Sequence, residues 1–307
     1  NNTDINTRIG WYSADVTEAT EAVDDDAGVE AGGWAGALHF PRIQGGDLCG
    51  RVVELGPEVE TPALGARVTC AINQPMPTAG NPMAFKALGS EMDGAFAKYC
   101  VVDADQLYDV SASPLSDVEI AAMPCAFGTA WNLLERASVS EGEDVYITGA
   151  SGGVGLAAVQ LAALRGACVV AQASPSKAEA VMAAGAELVI GRNEAPEPGS
   201  TDVWIDVVGG PSWGQGLAAL CPGGRLATSG AIAGPIVAAD LRVIYLNDIT
   251  ILGCTYQAAE VFAGLVELIN QGRVRPLVSK TYPLESIAEA QADFESKRYP
   301  GKLVLIP

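Results

Sequence analysis

The chain has 307 residues, 49% of them hydrophobic, which is enough apolar material for a buried core and long for a single one, so two domains are expected. Its formal charge of −19, from 18 Lys and Arg against 37 Asp and Glu, excludes a basic surface that tracks nucleic-acid phosphates. No apolar run approaches the roughly 20 residues of a membrane span, so the chain reads as soluble, with neither a nucleic acid nor a membrane as partner.

Up to about residue 113 the chain reads as short strands parted by Gly, Pro and Asn, without helical periods. Strand-like runs fall at residues 50–56, 66–71 and 94–102, the texture of a compact antiparallel β domain. Helical segments at 117–122 and 129–136 would bridge to a second body. From about residue 142, strands at 145–148, 168–171, 188–190, 203–207, 225–228 and 249–253 alternate with helices at 156–165, 177–184, 213–220 and 261–269. That alternation predicts an α/β fold with a doubly wound parallel sheet. A last strand at 302–306 closes a segment, 275–307, that returns to the β domain. The expected domains are 1–113 with 275–307, and 114–274.

The most telling stretch runs from Asp144 through Ile147, Gly149, Ala150, Ser151, Gly152, Gly153, Val154 and Gly155 into the apolar residues 156–165. A β-branched run, a glycine-dense turn and an apolar helix are what a dinucleotide pyrophosphate needs. Gly152 lets the backbone approach the phosphates and Gly155 lets the helix start close to the sheet. The helix N-terminus then offers unpaired N–H groups to the anion. Ala150 stands where the first fingerprint glycine is usual.

The second strand of this alternation ends in Ala173-Ser174-Pro175-Ser176-Lys177, without the Asp or Glu that would bond a ribose 2′-hydroxyl. Hydroxyls and an ammonium suit a 2′-phosphate, so NADPH is the expected cofactor; the bland alternative leaves Lys177 solvated on a helix's first turn. The carboxyl ends of strands in such sheets form the ligand crevice. Val207 follows the fourth strand, Gly230, Ala231 and Ile232 the fifth, and Cys254 and Thr255 the sixth, so all are expected against the cofactor. Asp206 reads as a structural carboxylate before a catalytic one. Cys49, Cys70, Cys100, Cys125, Cys168, Cys221 and Cys254 are dispersed with no Cys-x-x-Cys pair, which predicts reduced thiols and a cytoplasmic home.

The layout resembles the medium-chain dehydrogenase/reductase superfamily, and within it the zinc-independent quinone oxidoreductase branch. The strings that carry the likeness begin at Gly45, Gly94, Pro124, Gly149, Asp206, Pro222 and Gly301 and span nearly the whole chain. The resemblance implies a Rossmann domain joined to a GroES-like antiparallel β domain, with the N-terminal part of the latter missing ahead of Asn1. It places Lys177 at the 2′-phosphate, Arg192 where a cofactor-flanking tyrosine is frequent, and Lys302, from the Gly301-Lys302 pair, in the cofactor-binding set. Thr129 would lie beside the nicotinamide or else cap a helix. Asn2, Asp4, Tyr12, Arg42 and Asp47 fall in segments that resemble the substrate-cleft wall. Tyr12 is the favoured hydroxyl contact or proton donor, and Asp47 and Thr129 are counted with it as catalytic candidates. The region 241–255 would pair edge to edge in a homodimer.

Zinc members of the superfamily take ligands at positions matched here by Asn1, Gly46 and Cys125, and one soft ligand cannot hold a catalytic zinc. The only histidine, His39, stands in an apolar loop and reads as a surface or packing residue. No metal is therefore expected. Without a Lewis acid, hydride transfer to a conjugated acceptor is easier than alcohol oxidation. The expected activity is an NADPH-dependent oxidoreductase acting on a small molecule, a quinone or an α,β-unsaturated carbonyl compound. The alternatives are an enoyl-thioester or other alkene reductase, a zinc-type alcohol dehydrogenase that has lost its metal, and an NADPH-binding protein without turnover.

Overall fold

A computed structural model describes residues 1–23, 34 and 38–307. The chain divides into two compact units. The first gathers Asn1–Ser13, the described part of Asp25–Gly128, and Tyr256–Pro307; the second gathers the described part of Ala14–Asp24, and Thr129–Thr255.

The first unit opens with α1 (Asn2–Arg8). Strands β1 (Gly50–Arg51), β2 (Arg67–Cys70), β3 (Asn73–Pro75), β4 (Phe85–Ala87) and β5 (Leu107–Asp109) follow. They form an antiparallel three-stranded sheet in the order β1-β2-β5, and a separate β3–β4 hairpin. Helix α2 (Asp117–Ala121) comes next, and then α3 (Pro124–Arg136), whose residues from Thr129 on belong to the second unit. Ser116 caps α2 in a reciprocal box with Glu119.

Of the strands expected in this unit, 66–71 forms as β2, while 50–56 shortens to the two residues of β1. The run 94–102 is not a strand. Its first amides are spent on a loop instead: Gly94, Ala95 and Phe96 N–H donate to the carbonyls of Ile43, Gly45 and Gln44 at 2.8–2.9 Å. Beyond them Tyr99 and Val101 stand 67% and 90% exposed. Their β propensity meets no strand partner among the described residues.

The second unit carries β6 (Asp144–Ile147), α4 (Gly153–Leu164), β7 (Cys168–Gln172), α5 (Ala178–Ala183), β8 (Leu188–Ile190), β9 (Thr201–Asp206), α6 (Trp213–Ala219), β10 (Leu220–Thr228), α7 (Leu241–Leu246) and β11 (Thr250–Gly253). The sheet order is β11-β10-β9-β6-β7-β8, with every pair parallel. The chain reverses its direction of strand addition between β6 and β9, which is the switch point of a doubly wound Rossmann sheet. Helix α4 is apolar around most of its circumference, with Leu156, Ala157, Val159 and Leu161 all buried. Another core cluster joins Tyr146, Trp204, Trp213, Leu217 and Leu226.

The chain then re-enters the first unit with α8 (Ala259–Asn270), β12 (Val278–Pro283), α9 (Ile287–Glu295) and β13 (Lys302–Ile306). Strands β12 and β13 pair in parallel across the α9 crossover, an addition to a unit whose other described strand pairs are antiparallel. β12 carries Ser279, Lys280 and Thr281, which leave little apolar periodicity to read in the sequence.

Candidate active site

Each unit holds one set of candidate residues. In the second, Gly149 sits at φ +62°, and a side chain there would press on Val207 and Val208. At Gly155 a Cβ would lie 2.2 Å from the Gly149 carbonyl oxygen, so packing alone demands glycine. Gly152 differs. It is the exposed, extended N-cap of α4, and a Cβ would find nothing nearer than that same carbonyl at 3.4 Å. The fold tolerates a side chain at 152, and the small residue leaves the space above it open. Ala150 and Ser151 are buried, and Gly153 and Val154 begin the twelve-residue α4 with first-turn N–H groups that no helical carbonyl can satisfy. These residues fit the pyrophosphate of a nicotinamide dinucleotide.

Beside the turn, Asp206 is 1% exposed and accepts hydrogen bonds from the Thr148 hydroxyl at 2.6 Å, Val208 N at 3.0 Å and Gly209 N at 3.2 Å. Burial pushes its carboxyl up, against the pull of these bonds. Asp206 thus shapes the loop after β9, where Gly209 and Gly210 both have positive φ. That loop meets the end of β10: Ala233 N donates to the Val208 carbonyl, and a Cβ at Gly230 would lie 3.0 Å from the Val207 oxygen. Val207, Gly230 and Ala231 are thereby gathered at the strand ends. The Ile232 carbonyl is already engaged by Thr20 N at 3.1 Å. Cys254 is 3% exposed, with its N–H on the Thr228 carbonyl, and Thr255 is exposed.

No acidic side chain ends β7. Gln172 and Ala173 precede half-buried Ser174, whose hydroxyl lies 3.3 Å from that of Ser176, and Lys177 closes the short 3-10 turn Pro175–Lys177. Arg192 is exposed after β8. Thr129 lies inside α3, five residues past its start at Pro124, so it does not cap that helix.

In the first unit, residues far apart in sequence meet in one enclosed corner. The Lys302 ammonium donates to Asp47 Oδ2 at 2.7 Å and to the Asn1 side-chain carbonyl. Asn1 Nδ2 donates to the same Asp47 oxygen at 2.9 Å, while Asp47 Oδ1 accepts the Cys125 N–H at 2.5 Å, in the first turn of α3. The Lys302 and Asp47 side chains are only 8% and 12% exposed. Burial alone would raise the Asp47 carboxyl, but the Lys302 charge and the hydrogen bonds hold it below its ordinary value. Burial likewise opposes the Lys302 charge, yet Asp47 keeps the ammonium above its ordinary range. Burial and then the Asp47 carboxylate push the Cys125 thiol up to about 12.

Asp4 receives the Gly46 N–H at 3.2 Å, Arg42 bonds Asp93 at 3.0 Å, and Asn2 accepts from Lys297 at 3.0 Å. The Tyr12 hydroxyl lies 2.9 Å from that of Thr3 and is also hydrogen-bonded to Asn6. Burial pushes its pKa up to about 12, with Cys125 and Asp4 adding smaller upward pushes, so Tyr12 stays a neutral phenol.

A catalytic zinc does not fit these residues. A side chain at Gly46 would start 2.0 Å from Ile72 Cδ1, Asn1 and Asp47 are committed to Lys302, and Cys125 is the single soft donor. Among the described residues no three His, Cys, Asp or Glu side chains are placed to hold a metal ion. His39 is exposed. No helix among the described residues is long and apolar enough to cross a membrane.

Sequence reasoning singled out Asp47 and Lys302 for other reasons and missed their pairing, because 255 positions separate them. It also missed Asn6, Trp34 and Phe85, for which no local motif exists.

The family of alcohol dehydrogenase GroES-like domains matches residues 15–112, and the zinc-binding dehydrogenase family matches residues 177–305. An acryloyl-coenzyme A reductase of Metallosphaera sedula is 32% identical over 281 residues, 87% of this chain and 84% of that protein. Among solved structures, a presumed alcohol dehydrogenase of Sinorhizobium meliloti 1021 is 36% identical, with a TM-score of 0.85 over 100% of this chain and 85% of its own. A 2-octenoyl-CoA carboxylase reductase, solved with NADP and 2-octenoyl-CoA, is 29% identical, with a TM-score of 0.78 over 86% of this chain and 68% of its own. A glycine turn whose geometry fits a dinucleotide, a Rossmann sheet and relatives of this closeness agree: the chain belongs to the medium-chain dehydrogenase/reductase superfamily, and it is an oxidoreductase that uses a nicotinamide cofactor.

Proposed function

We propose that the chain is an NADPH-dependent reductase of α,β-unsaturated thioesters, the reading that stood as the alternative to quinones and enones in the sequence. The observation that carries this reading is the Asn1–Asp47–Lys302 corner. It closes on its own ion pair where zinc relatives recruit a Lewis acid, and a conjugated alkene needs none because its own carbonyl oxygen takes up the developing charge. The names of two relatives, an acryloyl-CoA reductase and a 2-octenoyl-CoA carboxylase reductase, favour the thioester over the quinone.

The reduced nicotinamide, when bound, supplies a hydride to the carbon β to the carbonyl, and a proton at the α carbon completes the reduction. The chain's own residues hold and orient. Ala150 to Gly155 cradle the pyrophosphate, and Ser174, Ser176 and Lys177, with Arg192 beyond, select the 2′-phosphate. Val207, Gly230, Ala231, Ile232, Cys254 and Thr255 flank the nicotinamide half through backbone contacts, alongside Thr129. The neutral Tyr12 phenol is the hydroxyl suited to bond the substrate carbonyl or give up a proton. Asp47 and Lys302 act as positioning residues, since their polar atoms are engaged with each other and with Asn1 and Cys125.

A homodimer fits the outer edge of β11, whose one strand neighbour is β10, beside the exposed Leu241, Tyr245 and Leu246. The seven free cysteines suit the cytoplasm.

The test is NADPH oxidation with a panel of 2-enoyl-CoA esters, quinones and simple enones. Faster turnover of an enoyl-CoA than of any quinone, with NADH a poorer donor, is the expected result. Turnover of quinones alone would restore the quinone reading, and cofactor binding without turnover of any acceptor would make the chain a binder.

A further inference from the structure

Four aromatic rings line up in the first unit. Trp11 meets Tyr12 edge-on, with centroids 5.6 Å apart and planes at 81°. Tyr12 lies nearly parallel to Trp34, at 6.0 Å and 7°. Trp34 in turn meets Phe85 edge-on, at 6.2 Å and 82°. Trp11 is buried, and Tyr12, Trp34 and Phe85 are mostly but not fully covered. A run of adjacent aromatic rings that the chain does not fully cover, beside polar groups, is the make-up of a small-molecule site.

The wall is hydrogen-bonded from behind. Trp34 N–H donates to Ser90 Oγ at 3.1 Å, Ser90 Oγ donates to Glu91 Oε1 at 2.9 Å, and Glu91 Oε2 accepts the Ala87 N–H at the end of β4, next to Phe85. At the Tyr12 end, Asn6 is 4% exposed and hydrogen-bonded to the phenol, yet its side-chain carbonyl oxygen has no donor among the described residues. A buried acceptor left open costs free energy unless a ligand or a water completes it. The Tyr12 hydroxyl lies within electrostatic reach of Cys125 and Asp4, so the aromatic wall adjoins the polar corner described above.

We infer that Tyr12, Trp34 and Phe85 form an acyl-binding subsite that selects unsaturated thioesters whose β-substituent is planar, an aryl or extended conjugated group, over those with a flexible alkyl tail. The inference rests on the thioester reading and specifies the tail that reading leaves open. Flat faces reward a flat partner with offset-stacked and edge-to-face contacts beyond simple burial, and an alkyl chain also loses rotational freedom on binding.

The experiment compares kcat/KM for cinnamoyl-CoA and for a straight-chain 2-enoyl-CoA of equal carbon number, with NADPH as donor. The wild type is expected to favour the cinnamoyl ester about tenfold, the worth of one or two aromatic contacts. Trp34→Leu should cut that preference to about threefold or less, and Phe85→Leu should lower it by a smaller factor. Because both substrates are read on the same preparation, any unfolded fraction cancels from the ratio. Equal or reversed preference in the wild type overturns the subsite, as does a tenfold preference that survives both substitutions. Turnover of quinones but of neither thioester would overturn the thioester reading itself, and the subsite with it.

Discussion

Two enclosed carboxylates, one in each unit, answer their surroundings in opposite ways. Asp206 is held by a hydroxyl, two backbone amides and the Trp213 side chain, all neutral, and its proton affinity rises. Asp47 is held by an ammonium, an amide side chain and a helix N–H drawn from residues 302, 1 and 125, and its proton affinity falls. Burial is the largest influence on both. Neutral donors offset part of it; a full opposite charge overcomes it. Asp206 is therefore a local device that shapes one loop, whereas Asp47 ties together segments from both ends of the chain.

The sharpest way to break this contrast is to remove the ammonium. Lys302→Met leaves Asp47 without its counter-charge and should cost about 3–5 kcal/mol in urea unfolding, with much of the loss recovered in the Lys302→Met/Asp47→Asn double variant. A double variant as unstable as the single one would refute the pairing. A smaller effect separates packing from ligand approach in the glycine turn. Gly155→Ala should destabilise by about 1–3 kcal/mol because its methyl meets a backbone oxygen. Gly152→Ala should cost under about 1 kcal/mol yet weaken NADPH binding at least tenfold, read by fluorescence titration.

The smallest effect is the pH dependence. Asp47 contributes stability that is present above the ordinary carboxyl value of 3.8 and is lost as pH falls through its depressed folded value. Asp206 works the other way: its contribution is present below 3.8 and is lost as pH rises through its elevated folded value. Urea midpoints followed from acid to neutral pH should therefore show Asp206→Asn gaining on the wild type and Asp47→Asn falling behind it. The two divergences should run in opposite directions, because one carboxyl binds its proton less tightly in the fold and the other more tightly. Parallel curves for the two variants would erase the distinction.

The same contrast explains what the sequence disclosed. The parallel sheet and its nucleotide turn were legible because strand, turn and helix are consecutive; residues 188–190 form β8 as expected, and 302–306 form β13. The run 94–102 misled because alternation signals a wish to pair, while pairing depends on a neighbour that only the fold supplies. Thr129 offered two readings, and helix α3 beginning at Pro124 removed the cap. The Asp47–Lys302 pair and the Tyr12–Trp34–Phe85 wall left no trace in spacing, since nothing local records a contact across tens or hundreds of positions. β12 stayed hidden because its residues are largely polar and half-exposed.

The parallel β12–α9–β13 unit also sets an order of assembly on the ribosome. Residues 129–255 complete the second unit as one nearly unbroken stretch and can fold while translation continues. The first unit cannot finish so early, because the lysine that neutralises Asp47 rides on β13, which is made after the second unit. Until β13 docks, a nascent chain carries an acidic group in its interior with no cation to meet it. Residue 302 thus acts as a keystone, and a nascent chain that has not yet reached it lacks the cation around which the Asp47 corner closes.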